Sequence, residues 1–135
     1  MHLDMILGSS KKGVFYGIQN NENITLEQQI QKATNLATSY NSKILKKFVD
    51  TKNYLLLNDL FVTRRRLLDL MKWTVAHDCD FIICHNEECL YDNQHGKQKI
   101  KIFIASNQIP VILCDKETLF QPLTNLYITN IPQQF

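Results

Sequence analysis

Two stretches of this chain concentrate side chains that could do chemistry. The first is Arg64-Arg65-Arg66. A planar guanidinium matches phosphate or carboxylate oxygens through two parallel hydrogen bonds, so the three could grip phosphate or an acidic partner. Consecutive helical residues spread over about 200° of arc, however, so they cannot make one flat patch, and helix propensity with a solvated face explains them adequately and is the favoured reading. The second stretch runs from Cys84 to His95 and holds His85, Glu87, Glu88, Cys89, Tyr91 and Asp92. His85 with Glu87 and Glu88 is the one acid/base-like cluster, although a single loop histidine is more often just solvated. Cys84, His85, Cys89 and His95 follow C-H-x3-C-x5-H, which lacks the C-x2-C knuckle of structural zinc sites, so neither metal nor another cofactor is expected. Tyr91 could attack a phosphate, but no basic triad surrounds it. Ser9 and Ser10 precede the first strand and lie at its far end. Trp73 and Tyr91 are the aromatic candidates for an interface, with the core edge as the competing place for Trp73.

Those side chains must be positioned by an alternation of strands and helices. Residues 13–18 are a short apolar strand. Thr25 opens a helix to about Tyr40, with Leu26, Ile30, Ala33 and Ala37 on one face and Gln28 completing a capping box. Lys43–Val49 is a second strand, and 50–53 read as a turn. The apolar segment 54–62 has no clear period. A helix from about Thr63 to Ala76 or His77 has core spacing at Leu67, Leu70, Met71 and Thr74. The unbroken run Phe81–Cys84 suits a central parallel strand covered on both faces. A helix over roughly 97–107 carries Ile100, Phe103 and Ile104, while Lys97, Lys99 and Lys101 spread around it and serve solubility. Pro110–Cys114 is the next strand. This order predicts one α/β domain over 1–135: an open, mostly parallel sheet of four to five strands with helices on both faces. Residues 1–12 read as a flexible or edge lead-in and 118–135 as an irregular tail.

Composition narrows the classes. The 135 residues suffice for a single core, and 44% hydrophobic with 21% charged residues is ordinary for a globular protein. No apolar run is long enough to span a bilayer and the N-terminus lacks a signal-peptide core, so a cytoplasmic protein without membrane partners is expected. The four cysteines are then expected to be reduced structural thiols. A net charge of +2 permits a DNA partner without arguing for one.

The strand–turn–helix GVFYGIQNNENITLEQQ (13–29) resembles that of the serine recombinases, the resolvase/invertase family. There it typically reads Tyr-x-Arg-Val-Ser-Thr, a few polar residues, then Ser/Thr-Leu-x-x-Gln. Ungapped spacing from Tyr16 to Leu26 puts Asn20 at the attacking serine and Ile18 at an active-site arginine. The run TRRRLLDLMKWTVAHDCDFIIC is similar to the family's Arg-Pro-x-Leu-x-x-Leu-Leu helix, with Arg64 at the phosphate-contacting arginine and the usual prolines absent. The Leu-Asp-Arg-Leu-Ser-Arg signature falls on Glu87–Asp92: Glu88 and Leu90 survive, while Cys89 and Asp92 replace the arginines. Pro110–Leu113 matches the strand usually read Val-x-Phe-x-Ser-Leu. The resemblance spans about 13–117.

It implies a recombinase-like fold with a degenerate, inactive site. Asparagine has no hydroxyl to form the phosphoserine link to DNA. Asp92 and Glu87 would repel phosphate. The proline-broken ETLFQPLTNLYITNIPQQF holds no counterpart of the family's long dimerisation helix or DNA-binding domain. A non-catalytic domain acting through another protein is therefore expected, either monomeric or dimeric without that helix. Its Asn/Lys/Ile/Gln-rich composition fits an AT-rich bacterial or phage genome, hence regulation of a phage or mobile element. Two alternatives remain. One is an accessory protein of recombination with weak DNA binding. The other is a small-molecule or nucleotide enzyme on a doubly wound sheet, against which Gly17 stands alone with no Gly-rich phosphate loop.

Overall fold

The computed structural model describes residues 3–8, 10–19, 21, 23–52 and 64–120; Ser9, Asn20, the segment 54–62 and the tail beyond Phe120 lie outside these. In chain order the elements are α1 (Leu3–Leu7), β1 (Lys12–Gln19), α2 (Leu26–Ser39), β2 (Lys43–Thr51), α3 (Arg65–Ala76), β3 (Phe81–Cys84), a 3-10 turn (Glu87–Cys89), α4 (Gln94–Asn107), β4 (Val111–Leu113) and β5 (Thr118–Leu119). The strands form one sheet in the order β2-β1-β3-β4-β5. β2, β1, β3 and β4 run parallel, and β5 returns antiparallel to β4. The expected open α/β sheet is present, with its fifth strand inside the stretch assigned to an irregular tail.

Alternation along β1 splits the core into two layers. Val14, Tyr16 and Ile18 point to the side covered by α3 and α4, where Leu67, Leu70, Ile100 and Ile104 meet them. Phe15 points to the opposite side, against Ala33 and Ala37 of α2 and Leu3 and Leu7 of α1. β3 is buried on both faces, as its unbroken apolar run predicts. Gly17 lets α2 close on the sheet, since a Cβ there would lie 2.6 Å from the Phe15 ring and 2.8 Å from Leu26.

The α2 capping box is formed: Gln28 N donates to Thr25 Oγ1 at 3.1 Å and Thr25 N to Gln28 Oε1 at 3.0 Å. Two further expectations fail. Residues 3–7, part of the expected lead-in, form α1, because Leu3 and Leu7 have an apolar layer to bury against. Asp50 and Thr51, expected as a turn, continue β2, because β1 beside them extends to Gln19. Among the described residues no helix is long and apolar enough to cross a membrane.

Candidate functional site

The carboxyl ends of β1 and β2, the start of α3 and the turn after β3 converge on one buried polar cluster. Asp50 organises its first half. Tyr16 donates its hydroxyl to Asp50 Oδ2 at 2.7 Å. The Arg66 and Leu67 backbone amides donate to the two carboxylate oxygens at 3.0 and 3.1 Å. A carboxylate from β2 thus caps α3, whose own N-cap residue, Arg64, makes no side-chain cap bond. Burial drives the Tyr16 hydroxyl's pKa far above its ordinary value; neighbouring Arg64 opposes the shift and Asp50 adds to it.

Arg64 forms the second half. Its residue is only 2% exposed. Nη1 donates to the Cys89 carbonyl. Nη2 donates to Asp92 Oδ1 at 2.7 Å, with the Glu88 carbonyl at 3.5 Å. Nε has no hydrogen-bond partner. Burial would lower its pKa, but the Tyr16 hydroxyl and Asp92 outweigh that and hold it above the usual value. The solvated-face reading of the arginine run therefore fails for Arg64. Arg65 and Arg66 are exposed, and Arg66 pairs with Asp69 at 2.7 Å. Asp92, expected to repel phosphate, neutralises Arg64 instead.

A third piece ties the cluster to β1. Gln29, fully buried on α2, accepts from Ile18 N at 3.1 Å and donates to Ile18 O at 2.9 Å. The Cys89 thiol lies 4.0 Å from the same Gln29 oxygen. Ile18, 2% exposed, packs its side chain into the core under α3 and α4. The cluster therefore joins Ile18, Arg64, Glu88, Cys89 and Asp92, five of the positions read from the sequence. Asn20 lies outside the described residues. Asp50 and Gln29 were missed. Gln29 carried a signal, a polar residue on the stripe of Leu26, Ala33 and Ala37; Asp50 carried none, since a polar run after a strand reads as a turn.

The remaining candidates separate. Glu87 accepts from the Tyr91 hydroxyl at 3.1 Å and lies 4.0 Å from Lys97. Burial, then Glu87, pushes the Tyr91 phenol up to about 12, the wrong direction for a nucleophile at neutral pH. Burial lowers the half-buried His85's pKa, with Asp115 opposing, and no hydrogen bond joins it to Glu87 or Glu88. Trp73 sits half-buried at the core edge, its ring centroid 6.3 Å from Phe48 and stacked 4.0 Å from His77. All four cysteines are buried free thiols; burial pushes Cys114 up to about 12. Among the described residues no group of three or more His, Cys, Asp or Glu is placed to hold a metal ion.

No family model and no curated protein matches the chain. Solved structures do. The N-terminal catalytic domain of TP901-1 integrase superposes with a TM-score of 0.67, covering 92% of this chain and 97% of that one at 15% identity. The C-terminal catalytic domain of ISC1926 TnpA, an IS607-like serine recombinase, superposes with a TM-score of 0.62, covering 91% of this chain and 80% of that one at 18% identity. The fold is that of a serine recombinase catalytic domain. On this recombinase fold, the buried cluster sits at the carboxyl end of the central parallel strands, where open α/β sheets place their sites. Identities this low speak for the fold alone.

Proposed function

We propose that this chain is a non-catalytic, resolvase-like domain of the cytoplasm that works by binding another protein, in the regulation of a phage or mobile element. The observation that carries the reading is the state of Arg64. Phosphoryl transfer to a protein hydroxyl needs cations aimed at the developing charge on phosphate. Here the retained arginine is 2% exposed and its two terminal nitrogens are engaged by two backbone carbonyls and Asp92, while its buried Nε has no partner. The second arginine position is Ile18, packed in the core. The nucleophile position is an asparagine, which has no hydroxyl or thiol. Each missing transition-state partner costs about 10²–10³ in rate.

The test is incubation of the protein with supercoiled DNA, followed by denaturing separation of protein–DNA adducts and topoisomer analysis. The expected result is no covalent adduct and no relaxed circle. An adduct abolished by Asn20→Ala would overturn the proposal.

A further inference from the structure

We infer that the groove between α3 and α4 is a docking site for an acidic amphipathic helix of a partner protein. The inference deepens the protein-binding reading above and rests on it. Leu68, Met71, Val75 and Ala76 of α3 and Ile102 and Phe103 of α4 line an apolar trough of about 670 Å³. It lies along the helix layer, with Leu68 one turn beyond Arg64 and Val75, Ala76 and Ile102 farther along. Val75 is 48% exposed and Ile102 64%. Surface apolar residues are ordinary singly; here they line one continuous trough.

The charge around the trough says what fits it. Lys72 and Lys99 line its edges. The two helices carry six cations (Arg65, Arg66, Lys72, Lys97, Lys99 and Lys101) against a single carboxylate, Asp69, a surplus of five. The whole chain has a net charge of only +2, so the rest of the molecule is net acidic; of the six cations Lys72 and Lys99 lie at the trough, while Arg66 pairs with Asp69 and Lys97 lies 4.0 Å from Glu87. An apolar floor with basic edges complements a helix that has apolar residues at i, i+3, i+4 and i+7 and carboxylates on the flanks. A DNA backbone would leave its phosphates against the apolar floor, losing hydration without a partner there. Complementary charge would also raise the association rate and exclude basic partners.

The probe is a dye-labelled peptide of about five helical turns, leucine on one face and glutamate on both flanks, titrated with the full chain and read by fluorescence anisotropy. The expected result is saturable binding that weakens with salt, is lost when lysine replaces the peptide's glutamates, and weakens about ten-fold or more in Ile102→Glu and in Val75→Glu. Both positions are exposed, so the variants should melt like the parent. Equal binding of a scrambled peptide, indifference to Ile102→Glu, or no binding overturns the proposal. So does a dimer in sedimentation that Ile102→Glu dissolves, which assigns the groove to a second copy. Binding to anionic phospholipid vesicles in place of the peptide assigns it to a membrane surface. Covalent DNA adducts with peptide binding intact would remove the non-catalytic reading and leave the groove standing. Peptide indifference without adducts would do the reverse.

Discussion

At the scale of single residues, Arg64 decides what the candidate site can do, and its partners make it structural. Arg64→Ala should lower stability by about 2–3 kcal/mol, because two carbonyls lose a charged donor and a buried side chain leaves a gap. Arg64→Lys should lose nearly as much, since one ammonium cannot reproduce the fork that meets Cys89, Glu88 and Asp92. Asp92→Asn should lose less, about 0.5–1 kcal/mol, because the Asp92 side chain is 42% exposed and solvent screens the pair. Urea midpoints at unchanged slope would measure all three. Equal losses for Arg64→Ala and Asp92→Asn would mean that the ion pair, not the carbonyl contacts, holds the arginine. The same geometry bears on repair. Asn20→Ser should give no DNA cleavage in the adduct assay, because it restores a hydroxyl without freeing Arg64 or adding a cation at Ile18. Cleavage by that single variant would show that the buried arginine is no obstacle. The position of Arg64 was legible from spacing to the β3 run, but its burial was not. It stands just before the helix, where 3.6-residue periodicity no longer says which way a side chain points.

At the scale of elements, the end of β1 is held by a side chain acting as a strand. β3 pairs with β1 only over Gly13–Phe15, so the outward N–H and C=O of Ile18 have no ladder partner on that side. The Gln29 amide supplies both, one donor and one acceptor, from α2. Gln29→Leu should therefore leave two buried backbone groups unsatisfied and cost about 2–4 kcal/mol. Gln29→Glu keeps the acceptor but loses the donor to Ile18 O. Hydrogen exchange should show the Ile18 amide losing protection in Gln29→Leu ahead of the β3 amides; uniform loss would mean that the glutamine supports the whole core, not this strand end. α2 itself was readable because its capping box and its stripe of Leu26, Ile30, Ala33 and Ala37 agree. α1 and β5 were not, since five and two residues are too short to show a period and form only because the sheet offers an apolar layer and a free edge. The end of β2 was misread because Asp50 is polar for a tertiary reason: it caps the helix that follows.

At the scale of the whole molecule, charge is separated in a way that composition hides. The carboxyl end of the sheet carries Asp50, Glu87, Glu88, Asp92, Asp115 and Glu117, and the cations nearest it are engaged, Arg64 with Asp92, Arg66 with Asp69 and Lys97 at 4.0 Å from Glu87, while Lys72, Lys99 and Lys101 lie farther along α3 and α4. A net charge of +2 is the small difference between these regions. Where duplex DNA associates it should therefore meet lysines at the edge of the helix layer such as Lys72, and neither the apolar floor of the trough nor the strand ends where a recombinase-like reading would put a phosphate. Nonspecific binding responds to each phosphate neutralised, with a slope of about −0.9 in log affinity against log salt per contact. Lys72 lines the α3–α4 trough and is exposed, so Lys72→Ala should reduce the magnitude of that slope by up to about 0.9. Arg64 already has Asp92 and two carbonyls as partners, so Arg64→Ala should leave the slope unchanged. Anisotropy titrations of a labelled duplex, at salt concentrations low enough for binding to be seen, would separate the two. The opposite pattern, a slope sensitive to Arg64 and indifferent to Lys72, would put the phosphate at the strand ends. It would mean that Asp92 lets go of the arginine when DNA arrives, and that the pairing in the free chain is a latch, not a loss.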